Sequence, residues 1–120
     1  MAYILIAEDV LELRVAWVEA LTTIGNVVDG AADGARAWEL IQSNGPYDLI
    51  ILDINMPRQN GLETLKLIRQ HDSKVPVLAV TAITDPEIVR RVISSGATDI
   101  LFKPLSLNEF INAISRLAQK

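Results

Sequence analysis

Polar residues stand where short apolar runs of this sequence end. Glu8-Asp9 follows Tyr3 to Ala7, Asp53 follows Leu49 to Leu52, Thr81 follows Val77 to Val80, and Lys103 follows Ile100 to Phe102. If the runs are parallel strands, three carboxylates, a hydroxyl and an amine meet at one sheet edge, because open α/β sheets bind ligands outside the carboxyl ends of their strands. Crowded carboxylates repel, and a divalent cation among them relieves the repulsion. The chain has one histidine and no cysteine, so its metal chemistry must use oxygen, which points to Mg2+ or Mn2+. With positive charge from such a cation and from Lys103, an ionised Asp53 could attack a phosphoryl group while its equatorial oxygens are stabilised. Thr81 could hydrogen-bond a third phosphoryl oxygen, and the small Ala82 would leave the approach open.

Plainer readings stand beside these. Asp9, three residues before Glu12, has the pattern of an N-cap, but its place after an apolar strand and beside Glu8 favours a site. Threonine is common at strand ends in any case. A carboxylate closing Leu49 to Leu52, and a lysine closing Ile100 to Phe102, are costly next to a buried sheet unless they have a role. Met56-Pro57 and Gly61 read as loop geometry. Trp17 and Trp38 read as packing residues and His71 as a solvated surface residue.

The elements that must position these groups follow from periodicity. Asn26 to Val28 is a fifth apolar run, and all five lack the polar alternation of half-exposed strands, as strands buried on both faces do. Between them, Val10 to Ile24, Ala35 to Ser43, Leu62 to Gln70, Glu87 to Ser95 and Leu107 to Gln119 carry apolar residues three and four apart. Ser106 with Glu109 reads as a capping box, Asp85-Pro86 as an N-cap followed by a first-turn proline, and Gly25, Gly45 and Gly96 as helix stops. The order is (βα)5. Right-handed crossovers then put helices on both faces of a doubly wound parallel sheet, giving three layers, and 120 residues are too few for a closed eight-stranded barrel.

Half of the residues are hydrophobic and 22% charged, which excludes a disordered or low-complexity chain. Eleven basic against fifteen acidic residues, a net charge of -4, argue against direct nucleic-acid attraction. No apolar run approaches a membrane span and the N-terminus lacks the basic start of a signal peptide, so a cytoplasmic location and no membrane partner are expected. With no internal repeat or linker, residues 1–120 are expected to form one domain.

Ala-Glu-Asp at 7 to 9, Leu-Asp-Ile-Asn-Met-Pro at 52 to 57, Gly61, Thr81-Ala82, Gly96-Ala97 and Lys103-Pro104 occur in an order and spacing that resembles the receiver domain of two-component response regulators, of the chemotaxis-regulator type. The resemblance covers the whole chain. It implies a flavodoxin-like sheet of order 2-1-3-4-5 and a phosphorylation-dependent switch. Asp53 would take a phosphoryl group from a histidine kinase or phosphotransfer protein. Asp9, Asp53 and the backbone carbonyl of Asn55 would hold Mg2+, with Glu8 acting through water. Thr81 and Lys103 would contact the phosphoryl group, and the Lys103–Pro104 bond would be cis. An output domain or effector protein and a dimer formed on phosphorylation are the partners the resemblance allows.

Three other readings compete. A phosphatase with an aspartyl nucleophile resembles Asp-x-Asp, but the second position here is Asn55. A flavin module needs a phosphate loop after strand 1, where Glu8-Asp9 would repel phosphate. A receiver-like interaction module acting without phosphorylation is the closest alternative, against which the intact acidic, Thr and Lys positions argue. One departure from the family is Ile100, where an aromatic residue is common three positions before the lysine. Without a ring to swing, transmission is expected to run through the loop Ile83 to Pro86 and the start of the fourth helix.

Overall fold

Tyr3–Ala7 (β1), Leu49–Asp53 (β3) and Val77–Thr81 (β4) are rich in Ile, Leu and Val with no interior polar residue, a composition that suits strands covered on both faces. The computed structural model, which describes residues 1–55 and 61–118, sets them at the centre of a parallel sheet. Val27–Ala31 (β2) and Asp99–Phe102 (β5) form its edges, in the order β2-β1-β3-β4-β5. Helices Leu11–Thr23 (α1), Gly34–Asn44 (α2), Gly61–His71 (α3), Pro86–Ser94 (α4) and Leu107–Leu117 (α5) alternate with the strands. This is the expected flavodoxin-like (βα)5 architecture.

Successive strand residues point to opposite sheet faces, so each central strand feeds two cores. Leu5, Ala7, Ile50, Leu52, Val77 and Ala79 pack with Ala37, Leu40 and Ile41 of α2, Leu65 and Ile68 of α3, and Val92 of α4. Ile4, Ile6, Leu49, Ile51, Leu78 and Val80 pack on the other face with Trp17 and Leu21 of α1 and Phe110, Ala113 and Ile114 of α5. Truncating one of these leucines or isoleucines to Ala costs roughly 2–5 kcal/mol, so the sheet is a stiff platform for whatever its ends carry.

The helix boundaries are set by chemistry visible in the sequence. Ser106 Oγ accepts from the Glu109 N–H at 3.1 Å and the Glu109 carboxylate answers to the Ser106 N–H, a complete capping box. Asp85 caps α4 through the Glu87 N–H, with Pro86 as first helical residue. Gly25 and Gly96, with φ of +99° and +113°, end α1 and α4 in the left-handed region. Asp33, not anticipated as a cap, accepts from the Arg36 N–H at 2.8 Å. α5 starts at Leu107 as expected, the other helix ends differ from expectation by one or two residues, and Gln119, the expected end of α5, lies outside the described residues.

Two expectations are corrected. β2 is not Asn26 to Val28 but Val27–Ala31, in register Tyr3↔Val27 through Ala7↔Ala31 with β1, because the ladder to β1 carries the strand on through Asp29-Gly30. β2 and β5 are also not buried on both faces: each pairs on one side alone, and several of their residues are partly or fully exposed. No helix among the described residues is long and apolar enough to cross a membrane.

Candidate functional site

At the carboxyl end of β1, Glu8 stays buried. Its N–H donates to the Ala31 carbonyl at 3.0 Å, its Oε2 accepts from the Val10 N–H at 3.1 Å, and its carbonyl accepts from Arg14 Nη1 at 2.8 Å. α1 starts at once, with Val10 as an N-cap that makes no side-chain bond, so Asp9 is not a cap. Asp53, the last residue of β3, is 2% exposed and its Oδ1 accepts from the Asn55 N–H at 3.0 Å. Thr81, the last residue of β4, is buried, and its Oγ1 accepts from the Ile83 N–H at 3.0 Å. The Lys103 N–H donates to the Thr81 carbonyl at 2.8 Å, which brings the lysine to the same edge. The Lys103–Pro104 bond is cis, as the resemblance implied, and Gly45–Pro46 is cis as well.

From there the Lys103 ammonium donates to Glu8 Oε1 at 2.7 Å and Asp53 Oδ2 at 3.1 Å. Oxygens of Glu8, Asp9 and Asp53 lie within 4.8 Å of one another. Burial pushes the Glu8 carboxyl up to about 7, against the lowering effect of its bonds from Lys103 and the Val10 N–H. Burial lowers the Lys103 ammonium, but its hydrogen bonds to Glu8 and Asp53 outweigh this and raise its pKa above the ordinary lysine value. Lys103 is therefore a fixed positive charge. One ammonium facing three clustered carboxylates leaves excess negative charge on hard oxygen donors, and this donor set fits a divalent cation of the Mg2+ class.

Gly61 is corrected from loop geometry to the first residue of α3. Its N–H donates to the Ile54 carbonyl at 3.0 Å. A Cβ there would meet the Asp53 carbonyl oxygen at 2.5 Å and the Ile54 Cα closer still, so only glycine lets α3 start against the end of β3. Met56-Pro57 lies outside the described residues. Ala82, beside Thr81, is exposed. Trp17 packs in the core as expected, and exposed His71 meets Trp38 edge-on at 5.6 Å.

All the acidic, hydroxyl and amine residues singled out in the sequence come to this edge. Two neighbours escaped notice: Arg14, bonded to the Glu8 carbonyl, and Trp17, whose ring centroid lies 5.9 Å from Lys103 Nζ. Both lie on α1 three residues apart, and helical periodicity counted from Val10, four and seven residues on, is the signal that could have found them.

The family model "Response regulator receiver domain" matches residues 4–115. The chain belongs to that family. Among its relatives, Protein CcdB of Bacillus subtilis is 35% identical over 118 residues, 98% of each chain. The probable C4-dicarboxylate response regulator DctR of Priestia megaterium is 40% identical over 90 residues, 75% of this chain but 39% of the relative. The solved chemotaxis protein CheY4 of Vibrio cholerae superimposes with TM-score 0.91 at 32% identity over 98% of both chains. The non-phosphorylated HemR receiver domain of Leptospira biflexa gives TM-score 0.92 at 28% identity, covering 100% of this chain and 96% of that one. As a receiver domain, the chain belongs to the two-component signalling systems, and its acidic cluster lies at the carboxyl ends of β1 and β3.

Proposed function

We propose that residues 1–120 form one receiver domain that works as a phosphorylation-dependent switch, with Asp53 accepting a phosphoryl group from a histidine kinase or phosphotransfer protein. The observation that carries this reading is the setting of Asp53: a buried carboxylate at the end of the central strand, with Lys103 Nζ at 3.1 Å and the carboxylate oxygens of Glu8 and Asp9 within 4.8 Å.

In this reading an Asp53 oxygen attacks phosphorus while the bond from phosphorus to the donor's nitrogen or oxygen breaks, and the leaving group keeps the electron pair. Lys103 shifts from Asp53 Oδ2 to a phosphoryl oxygen and balances its charge. The Thr81 hydroxyl turns from the Ile83 N–H to donate to another. A divalent cation, Mg2+ or Mn2+, held by Asp9, Asp53 and the Asn55 carbonyl, with Glu8 acting through water, would supply further positive charge against the phosphoryl oxygens. Water later cleaves the acyl phosphate and restores Asp53. The domain thus catalyses only its own phosphorylation and dephosphorylation and turns over no free substrate. We assign it a cytoplasmic location, an output domain or effector protein as the reader of its state, and a dimer formed on phosphorylation.

The test is intact mass after incubation with a small phosphodonor and Mg2+. The wild-type chain is expected to gain one phosphoryl group and Asp53→Asn none. Uptake by Asp53→Asn at the wild-type rate would overturn the assignment.

A further inference from the structure

The Trp17 ring stacks on Phe110 of α5, with centroids 4.5 Å apart and planes 25° from parallel. Both residues are nearly excluded from solvent, at 6% and 0% exposure, so α1 and α5 together fix the indole plane. Lys103 Nζ also sits over the ring, 5.9 Å from its centroid, inside the about 6 Å reach of a cation–π attraction. Leu13, Ala82, Pro104 and Leu105 line the rest of a cleft of about 350 Å3 there, and none of them carries charge to compete for the ammonium.

We propose that Trp17 is a positioning residue for phosphoryl transfer, holding the Lys103 ammonium at the site through the face of its indole. This rests on the reading of Asp53 as the phosphoryl acceptor. A lysine head rides on a flexible four-carbon stem, and in the resting domain Glu8 and Asp53 restrain it. During transfer Lys103 must leave Asp53 for a phosphoryl oxygen, and the Asp53 restraint is lost. The Glu8 bond and the indole face are the contacts that remain through the step, and the indole face limits how far the ammonium can swing about Glu8. A leucine at position 17 would fill the same core volume in part but would present no π face to the cation.

The experiment measures phosphoryl uptake from acetyl phosphate with Mg2+ in the wild type, Trp17→Leu, Trp17→Phe, Lys103→Ala and the Trp17→Leu/Lys103→Ala double variant. Trp17→Leu is expected to slow the step about fivefold at saturating donor with little change in the donor's KM, and Trp17→Phe to retain most of the rate. In the Lys103→Ala background, Trp17→Leu is expected to have no further effect; multiplicative losses would overturn the proposal, since a purely structural role does not depend on Lys103. A second readout needs no variant: the Lys103 ε-methylene protons of the folded wild type are expected to be displaced by the indole ring current relative to the urea-unfolded chain. Undisplaced resonances would also overturn the proposal. A wild type that takes up no phosphoryl group would refute the function assigned to Asp53, while the ring-current displacement would still decide whether Trp17 holds the ammonium.

Discussion

Asp29 Oδ2 accepts from the hydroxyls of both Tyr3, at 2.6 Å, and Tyr47, at 2.7 Å. Burial pushes the Asp29 carboxyl up, but the two phenols outweigh it and hold its pKa below the ordinary value of 3.8. A carboxyl depressed in the folded state stabilises above its unfolded pKa, and that stabilisation is lost as pH falls through the folded value. Asp29→Asn is therefore expected to lower stability by about 1–2 kcal/mol at pH 7, allowing for solvent screening. The wild-type advantage should shrink below pH 4, as read by urea unfolding at pH 7 and pH 3; an advantage unchanged at pH 3 would refute this. None of that triad stood out in the sequence, because its partners meet only when β2 pairs with β1. Glu8, Asp9, Asp53, Thr81 and Lys103 did stand out, each being a polar residue closing an apolar run, where burial demands a partner. Trp17 was legible as core but not as a neighbour of Lys103, since apolar spacing says which helix face is buried and not how near the sheet's end a ring lies.

Among the elements, α4 is held unevenly. Val92 is its one fully buried residue, and Asp85 caps its exposed N-terminal end. At the other end Arg69 Nε donates to the Gly96 carbonyl at 2.8 Å, and Nη1 to the carbonyls of Val75 at 2.7 Å and Asp72 at 3.2 Å. Lysine has no planar fork to span these three oxygens. Arg69→Lys should cost roughly 1–3 kcal/mol in urea unfolding, and an unchanged midpoint would refute the anchoring role. The free end of α4 adjoins the Thr81 Oγ1 bond to the Ile83 N–H. When a phosphoryl mimic draws the Thr81 hydroxyl away, residues 83–90 are expected to change amide exchange and chemical shift. Ile100, partly buried against the α2–α3–α4 core, has no ring to exchange and a β-branch that restricts its torsion, and should move little. A large Ile100 rotamer change with residues 83–90 undisturbed would contradict this. β1, β3 and β4 could be read almost to the residue, because continuous apolar runs between turn signals leave few alternatives. β2 could not, since Asp29-Gly30 breaks its run and the strand persists on backbone bonds to β1.

Across the whole molecule, a divalent cation held by Asp9 and Asp53, with Glu8 through water, would link metal binding to folding, because the cluster gathers residues from the ends of β1 and β3. Mg2+ is expected to raise the melting temperature of the wild type, a gain of about 1.4 kcal/mol at ten times Kd. Asp9→Ala should abolish that response without lowering metal-free stability, because it removes a repulsion and no cap; an undiminished Mg2+ response would count against the site. Periodicity alone gave alternation and layers but not the order 2-1-3-4-5, which depends on how each crossover packs in space and came from the family resemblance. That order also has a temporal side. Glu8 and Lys103 are bonded across 95 positions of the chain, and synthesis starts from the N-terminus. A nascent chain carries Glu8, Asp9 and Asp53 well before the lysine that balances them has been made, and a chain clipped ahead of β5 never acquires it. With Asp53 as the acceptor, such chains hold the nucleophile without its fixed cation and are expected to take up a phosphoryl group more slowly than the full domain. In that reading, competence to receive a signal doubles as a check that translation has passed the fifth strand.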